Sequence, residues 1–398
     1  MKVAFVLPRF APGVLGGAEY HFGELAGRLR GRGHEVTILT TCAVDHYTWE
    51  NALPPGADSV AGVPVRRYPV TLAKDRSLVA RLQTALDGGL TLPPEYQDEW
   101  VRNTGHSEPL LSAIADIADR VDALVFAPYL FASTVLGARV RPDRSLIQPL
   151  LHDEPYARFA CVHATLRGAA GILWNSSGER ELGERLIPGL PPGRMVSVGV
   201  EMPVNPVDPL AERRRLQLDG PVVSYAGRRE GAKNFPMVAE AVVAANLGWG
   251  RRVTLVAMGA GPVELPPEVR PFMRDLGRVS DEVKFRVFAA STAVVNLSLA
   301  ESFSLMVMEA WSVGTPVIVH AGCSVTRRHC QESGGGLWVR DVNEAVEAML
   351  LLADDPALRA RLGEAGRRHV EGHGSWRETL DRFEAAVPAL LAPPGMGP

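Results

Sequence analysis

The chain has 398 residues, a formal net charge of −3, 46% hydrophobic residues and 22% charged residues, which is ordinary for a soluble globular protein. At this length two domains of about 200 residues each are expected. The charge gives no reason to expect nucleic acid as substrate or partner. The four cysteines include no Cys-x-x-Cys pair, so we interpret them as reduced thiols of a cytoplasmic protein.

The amino terminus predicts a central parallel strand over residues 3–7, because this apolar run is too short for a signal peptide or a membrane span. The next loop contains Gly16 and Gly17 and leads into a helix from about residue 18 to 31, followed by a strand at 36–41. A glycine pair at such a turn lets the backbone approach a ligand closely, or is simply a turn. Its spacing is not the Gly-x-Gly-x-x-Gly fingerprint, which disfavours a nicotinamide enzyme.

Residues 43–110 are irregular and rich in Pro, Gly and charge, and we expect acceptor recognition there. The predicted elements of the first half from here on are strands at 63–68, 123–126, 146–151, 171–177 and 195–200, and helices at 78–86 and 94–102, and a further capped helix follows the segment 171–177. His152 follows the predicted strand 146–151 directly, and ligands of open α/β sheets bind at the carboxyl ends of strands. His152 is therefore a candidate functional residue; the alternative is a structural histidine bonded to Asp153 or to backbone.

Residues 201–220 have the proline-rich composition of a linker. The alternation of strand and helix then restarts, with strands at 222–226 and 253–257, a helix at 236–246 and another that Ser280 caps and that runs to residue 289. This pattern predicts two doubly wound α/β halves with a cleft between them.

The segment from Glu301 to Glu309 lies between two apolar runs and predicts a short loop that opens a helix. Free backbone N–H groups at a helix start suit a phosphate. Two carboxylates would repel that phosphate, so their expected partners are neutral hydroxyls. A ligand with phosphate in the middle and hydroxyls at both ends is a sugar nucleotide. The alternative is an acid at the start of a helix and an exposed helix residue.

In their joint order and spacing, these motifs resemble those of the retaining glycosyltransferases of the GT-B fold, family 4 (glycosyl transferases group 1). The resemblance covers nearly the whole chain. The motifs that carry it are Gly16-Gly17, His152, Gly199-Val-Glu201, Gly227-Arg228, Lys233-Asn234, Met258-Gly-Ala-Gly-Pro262, Glu301, Glu309, Gly334-Gly-Gly-Leu-Trp338 before Asp341, and Ser375-Trp376.

The resemblance implies an α/β GT-B architecture of two Rossmann-like doubly wound domains that face a cleft. Residues 1–203 would form the acceptor-side domain and residues 204–375 the nucleotide-sugar-binding domain. Residues 376–398 would form a crossover helix and tail that pack on the first domain.

The resemblance also implies roles for the donor-side residues. Arg228 and Lys233 would neutralise the diphosphate, and their positive charge would stabilise that group more strongly as it leaves. Glu309 would bind the ribose hydroxyls and Glu301 the hydroxyls of the transferred sugar. The implied donor-binding set also contains Gly227, Asn234, Gly259 and the backbone N–H groups of Phe303, Ser304 and Leu305.

Three implied residues belong to the first domain. His152 would face the sugar near the reacting carbon and complete a catalytic set with Arg228, Lys233 and Glu301. Gly16 and Gly17 would close over the phosphates.

The implied reaction transfers a sugar from a nucleoside diphosphate sugar to a hydroxyl of a glycan, a lipid-linked or a small-molecule acceptor. It would retain configuration by a front-face path, with the departing phosphate oxygen taking the proton and with no metal, cofactor or side-chain base. The acidic pair Asp354-Asp355 precedes Pro356, and we interpret it as a solvated helix boundary. Ser302 and Ser304 stand where the family usually has glycine, and Cys323-Ser-Val-Thr326 replaces a Pro-Glu-Val segment, so the donor identity stays open.

Two other functions remain alternatives. A nucleotide-sugar 2-epimerase of similar architecture would yield an epimer from the donor alone, and a catalytically silent binding subunit would need no turnover. A pyridoxal phosphate phosphorylase is disfavoured by the short chain and the few lysines. Basic residues on the first helix leave peripheral contact with the inner face of a membrane open. Nothing in the sequence determines the oligomeric state.

Overall fold

A computed structural model of the chain describes residues 1–14, 16–203, 207–229, 233–259, 261, 265 and 267–392. The chain divides into two compact units. The amino-terminal unit contains Met1–Val198 and the chain from Thr379 onward, and the carboxy-terminal unit contains Gly199–Glu378. Each unit has a mainly parallel sheet with helices between most successive strands, so the predicted α/β class with two Rossmann-like domains is confirmed.

The sheet of the amino-terminal unit has the strand order β3-β4-β2-β1-β5-β6-β7-β8, and its pairs are parallel except for the hairpin β3/β4. Its centre is buried on both faces, because strands of parallel sheets are covered by helices on each side. The strands are β1 (Lys2–Val6), β2 (Glu35–Thr41), β3 (Gly56–Val60), β4 (Val63–Tyr68), β5 (Ala123–Phe126), β6 (Ser145–Ile147), β7 (Gly171–Trp174) and β8 (Gly193–Met195).

The helices of this unit include one from the far end of the chain. Those from the first half are α1 (Gly17–Gly31), α2 (Arg76–Asp87), α3 (Pro94–Arg102), α4 (Glu108–Ile117), α5 (Ala132–Val135), α6 (Ala160–Gly168) and α7 (Ser177–Leu186). The last helix, α15 (Trp376–Leu391), joins the unit from Thr379 onward. Arg32 donates to Asp381 at 2.6 Å and to Glu384 at 2.8 Å, and the buried Phe383 packs on Phe5.

The carboxy-terminal unit has a six-stranded parallel sheet in the order β11-β10-β9-β12-β13-β14. Its strands are β9 (Val222–Ala226), β10 (Thr254–Met258), β11 (Met273–Asp275), β12 (Ala293–Asn296), β13 (Val317–His320) and β14 (Gly336–Val339). Its helices are α8 (Pro209–Arg215), α9 (Phe235–Val243), α10 (Asp281–Ala289), α11 (Leu305–Ser312), α12 (Ser324–Ser333), α13 (Val342–Asp354) and α14 (Pro356–His373).

Each sheet has a point where the strand order reverses. In the carboxy-terminal unit the chain runs outward from β9 to β10 and β11, then returns to β12 on the other side of β9. In the amino-terminal unit β1 lies in the same way between β2 and β5. Ligands of open α/β sheets bind in the crevice at this switch point, outside the carboxyl ends of the strands. The loops after β9 and β12 therefore frame the expected site of the carboxy-terminal unit.

Two predicted strands are shorter than expected. The strand predicted at 146–151 ends at Ile147, so His152 does not follow a strand directly but lies on a loop. Pro149 has no N–H to donate, and Leu150 has φ 53°, in the left-handed region, so neither continues a ladder. The strand predicted at 195–200 is confined to residues 193–195, and Val200 instead forms a bridge with Ser375.

The region between the halves is more ordered than a linker. Helix α8 lies within residues 201–220 and begins at the Asp208 side chain, which accepts hydrogen bonds from Leu210 N and Ala211 N. The side chain of Glu212 on this helix is buried and pairs with Arg215. Residues 43–110 also contain β3 and the start of α4, which the sequence did not predict. Residues 204–206 lie outside the described part of the chain.

A glycine contact on α14 gives a prediction about stability. A Cβ at Gly363 would lie 2.0 Å from the carbonyl oxygen of Gly314, whereas a Cβ at Gly372 on the same helix would meet no atom within 4 Å. We expect Gly363→Ala to lower the free energy of unfolding by about 1–3 kcal/mol, because a main-chain neighbour cannot yield to the methyl group. Gly372→Ala is the matched control and should stabilise by up to about 1 kcal/mol. Urea denaturation checks both; equal stability of the two variants would contradict this packing.

Candidate functional site

The two loops at the switch point of the carboxy-terminal unit are joined by an ion pair. Lys233, on the loop after β9, donates to Glu301 Oε1 at 2.8 Å, on the loop after β12. Their side chains are 25% and 12% exposed. Asn234 adds a second tie, since its Nδ2 donates to the carbonyl oxygen of Leu297 at 3.1 Å. A cation and an acceptor that the sequence placed 68 positions apart are therefore neighbours at the carboxyl ends of β9 and β12.

The glycines after β9 and β10 allow separate loops of the main chain to come into direct contact. Gly227 N donates to Met258 O at 3.1 Å, and Gly259 N donates to Gly277 O at 2.6 Å. Gly259 has φ 105°, and a Cβ there would lie 2.1 Å from the carbonyl oxygen of Gly227. Only glycine fits, which leaves main chain rather than side chain at the edge of the site. Residues 230–232, 260 and 262, from two of the predicted motifs, lie outside the described residues.

Arg228 and its neighbour Arg229 have different environments. The Tyr225 hydroxyl donates to the carbonyl oxygen of Arg228 at 2.5 Å and fixes the main chain there, while the Arg228 side chain is exposed. Arg229 is buried, and its Nη1 donates to Asp275 Oδ2 at 2.6 Å. This guanidinium lowers the pKa of the Asp275 carboxyl below its ordinary value. Sequence reasoning missed Arg229. The only signal for it is the pair of adjacent arginines on the loop after β9, one of which requires an acidic partner if it is buried.

The start of α11 is fixed by side chains beneath it. Ser304 precedes the helix with φ 71°, in the left-handed region, which explains why glycine is usual there. Asn296 Nδ2 donates to Ser304 Oγ at 2.7 Å and holds the serine in that conformation. Phe303 and Leu305 flank it, so the three predicted residues lie where the chain enters α11, at a helix start whose first backbone N–H groups lack intrahelical partners.

A buried histidine that the sequence analysis missed supports the same turn. His329, on α12, lies 3.0 Å through Nε2 from the carbonyl oxygen of Phe303. Burial lowers the pKa of His329 to about 4, and the neighbouring His369 acts in the same direction. The ring is therefore neutral near pH 7, and Nε2–H is the donor to the carbonyl.

Glu309 is not the exposed helix residue of the alternative interpretation, since its side chain is only 16% exposed. Its Oε1 accepts from Lys284 Nζ at 2.7 Å. Burial raises the pKa of the Glu309 carboxyl, and the Lys284 ammonium opposes that rise. Sequence reasoning did not identify Lys284, because the residue lies on α10, outside every motif.

The candidate residues of the amino-terminal unit lie after β1 and β6. Gly16 comes just before α1, and a Cβ there would lie 2.1 Å from the Glu19 carboxylate, whereas a Cβ at Gly17 would meet open space. His152 Nδ1 lies 3.6 Å from Glu154 Oε1. The alternative partner Asp153 instead pairs with two arginines. The roles of Gly16, Gly17 and His152 in donor binding stay predictions.

A buried carboxyl positions the loop that carries His152. Glu179, on α7, accepts from Leu151 N and Asn175 N, each at 2.7 Å, and is fully buried. Burial raises the pKa of Glu179 to about 8, against the lowering effect of these hydrogen bonds. The sequence signal that could have identified it is the capping box, because Ser176 Oγ accepts from Glu179 N at 3.1 Å.

No group of three or more His, Cys, Asp or Glu side chains among the described residues is placed to hold a metal ion. None of their helices combines the length and apolar character that crossing a membrane requires.

Comparison with known proteins gives relatives along nearly the whole chain. Residues 220–355 match the family model "Glycosyl transferases group 1". The D-inositol 3-phosphate glycosyltransferase 1 of Catenulispora acidiphila is 26% identical over 95% of this chain and 92% of its own length. A D-inositol 3-phosphate glycosyltransferase of Kribbella flavida is 28% identical over 96% of this chain and 93% of its own. A GDP-mannose-dependent monoacylated alpha-(1-6)-phosphatidylinositol monomannoside mannosyltransferase of Corynebacterium glutamicum is 30% identical over 46% of this chain and 51% of its own.

Solved structures resemble the chain over nearly its whole length. Sucrose-phosphate synthase of Thermosynechococcus elongatus has a TM-score of 0.70 at 17% identity, covering 97% of this chain and 98% of that one. Anabaena Alr3699/HepE in complex with UDP and glucose has a TM-score of 0.67 at 16% identity, with the same coverage of both chains. At these identities the likeness establishes the fold.

Proposed function

Since the chain is a glycosyltransferase of the GT-B fold with a glycosyl transferases group 1 domain, we propose that it moves a sugar from a nucleoside diphosphate sugar to an acceptor hydroxyl. The family assignment confirms the GT-B, group 1 resemblance drawn from the motifs. The observation that supports the proposed reaction most directly is the Lys233–Glu301 pair at the switch point between β9 and β12. It supplies a cation for a phosphate and an acceptor for a sugar hydroxyl side by side.

The proposed donor contacts follow from the chemistry of each group. Arg228 and Lys233 neutralise the diphosphate, and the missing side chains at Gly227 and Gly259 leave room for it beside the main chain. The first turn of α11 contributes backbone N–H groups and the positive end of a helix dipole.

The two carboxylates bind the ends of the donor. Glu301 accepts from hydroxyls of the sugar, and Glu309 accepts from the ribose hydroxyls, because an ionised carboxylate is an acceptor only. Asn234 links the loop of Lys233 to the end of β12 through a hydrogen bond. This link fixes the position of the Lys233 cation relative to the Glu301 carboxylate.

The proposed chemistry is a front-face transfer that retains configuration. Two cations from one loop stabilise the charge that grows on the diphosphate, so the proposal includes no metal and no cofactor. The departing phosphate oxygen takes the proton of the acceptor hydroxyl. We assign the reaction to the cytoplasm, because the four cysteines are all free and buried, as reduced thiols are.

A nucleotide panel tests the proposed function. Purified protein is heated with UDP, GDP, ADP or TDP, each with and without magnesium. A ligand at about 100 times its Kd adds roughly 2.7 kcal/mol of stability, which raises Tm measurably. Stabilisation by one of them without metal supports the proposal and names the donor class. No shift from any of them, with a cooperative unfolding transition present, would contradict the donor site.

A turnover assay then separates a transferase from an epimerase. The relatives named for D-inositol 3-phosphate make that phosphorylated polyol the first acceptor to offer together with the matching nucleotide sugar. Release of nucleoside diphosphate that depends on an acceptor supports transfer. Conversion of the donor to an epimer without acceptor would support the 2-epimerase instead.

A further inference from the structure

Lys284 is a partly buried cation to which the proposed function assigns no role. Its Nζ lies 2.7 Å from Glu309 Oε1 on α11 and 2.8 Å from Asp281 Oδ1 on its own helix, α10. The side chain of Lys284 is 17% exposed, while that of Asp281 is 68% exposed. An inner and an outer carboxylate therefore hold one ammonium group between them.

Helix α10 is connected to the loops of the donor site and is not a distant surface helix. It packs against α11, which begins at the switch point. The segment just before α10 contains Gly277, whose carbonyl oxygen accepts from Gly259 N at 2.6 Å. Ser280 then caps α10 through its hydroxyl. The position of Lys284 is thus set by contacts that also set the loop after β10.

We propose that Lys284 is a positioning residue of the nucleotide site, which holds Glu309 ionised and fixed so that its carboxylate can bind the ribose diol of the donor. The inference rests on the proposed function and deepens it. Lys284 occupies one direction at Oε1, and a carboxylate has acceptor sites for more than one further hydrogen bond. A ribose offers two neighbouring hydroxyl donors that fit those sites.

The charges around Glu309 explain why it needs this partner. Burial raises the pKa of Glu309, the negative charge of Asp281 acts in the same direction, and Lys284 acts against both. On the other elements packed against α11, His369 of α14 lies against the ring of Trp311. Arg286, the other cation of α10, pairs with Glu282. Lys284 is therefore the cation that favours the charged form of Glu309.

The sign of the pH effect follows from this arrangement. A carboxyl whose pKa is raised takes up a proton at a higher pH and then loses acceptor capacity. Removal of Lys284 raises the pKa of Glu309 further. Ribose binding should then weaken progressively as the pH falls, more steeply than in the native protein.

The first experiment is a thermodynamic cycle of two changes. One removes the Lys284 side chain, and the other removes the ribose hydroxyls of the nucleotide. Affinities of native protein and Lys284→Met for UDP and GDP, and for their 2′,3′-dideoxy counterparts, are measured by calorimetry at pH 8. We expect the substitution to weaken binding of the nucleotide with ribose by about tenfold, the scale of a hydrogen bond to a charged group. Binding of the dideoxy nucleotide should change less than about twofold, because the hydroxyls that Glu309 would bind are missing.

The second experiment follows the ratio of variant to native Kd for the same nucleotide between pH 8.5 and pH 6. Protonation of the phosphate cancels in this ratio. We expect the ratio for Lys284→Met to grow as the pH falls and the ratio for Lys284→Arg, which keeps the charge, to stay constant. A purely structural role would change affinity without this dependence on pH and on the hydroxyls.

The outcomes separate the inference from the function on which it rests. Equal loss of affinity for ribose and dideoxy nucleotides, with a ratio independent of pH, overturns the role of Lys284 while nucleotide binding stands. Native protein that binds neither UDP nor GDP, and that ADP and TDP do not stabilise, overturns the inference and the proposed function together.

Discussion

Replacement of Lys233 by alanine is expected to lower kcat by about 10²–10³-fold, the effect of removing one preorganised group that stabilises transition-state charge. Lys233 is held against Glu301 at 2.8 Å, so its ammonium is already placed at the switch point and needs no reorganisation to meet the leaving diphosphate. The effect should lie in kcat more than in KM, because the charge on the diphosphate grows as the bond to the sugar breaks.

A surface lysine provides the matched control for this variant. Lys2 pairs with Glu35 at 3.2 Å, and both side chains are largely exposed. Lys2→Ala should therefore leave kcat unchanged. Steady-state kinetics with the donor identified by the nucleotide panel, together with the Tm of both variants, makes the comparison. Native turnover in folded Lys233→Ala would contradict the role of Lys233, whereas a native protein that binds the nucleotide but shows no turnover would favour a binding subunit whose site does no chemistry.

The free energy of unfolding is expected to fall by a few kcal/mol between about pH 5 and pH 8 because of Glu179. The pKa of this buried carboxyl is about 8 in the folded chain, above its ordinary value of 4.5. The folded state therefore keeps a proton that the unfolded state releases across this window. Stability is lost as the pH rises from the unfolded to the folded pKa, by about 1.4 kcal/mol for each pH unit between them.

Two glutamates of one helix isolate this effect. Glu179→Gln removes the titrating group, so the contribution of this site to the pH slope should vanish. The amide also cannot accept from both Leu151 N and Asn175 N, so this variant should be less stable than the native chain at pH 5. Glu184, an exposed residue of α7, is the control, and Glu184→Gln should keep the native slope. Urea denaturation at pH 5, 6.5 and 8 gives the slopes; an unchanged slope in Glu179→Gln would show that another group titrates.

The same hydrogen bonds connect stability with the proposed site. Glu179 holds Leu151 next to His152, and Leu150 before it lies in the left-handed region. Loss of the carboxyl should free this loop, so Glu179→Gln serves also as a probe of whether the position of His152 matters for turnover.

The sequence by itself determined the architecture and the charged groups that we propose for the donor site. Apolar runs of strand length, separated by helical segments, predict buried parallel strands, because the periods of strand and helix are local properties of the chain. The Gly-Arg and Lys-Asn motifs after β9, and the two carboxylates around α11, were all identified without a contact map.

The tertiary structure decided how those groups are paired. Lys284 with Glu309, Arg229 with Asp275, His329 with Phe303 and Glu179 with Leu151 are contacts between residues 25 or more positions apart, and local periodicity carries no information about them. They depend on which strands are neighbours and on which helices those strands bring together. The strand predicted at 146–151 is shorter in the structure for the same reason. Its apolar residues suit a strand, but the buried Glu179 carboxyl group accepts the hydrogen bond of Leu151 N–H, and Pro149 has no N–H, so the chain turns toward His152 instead.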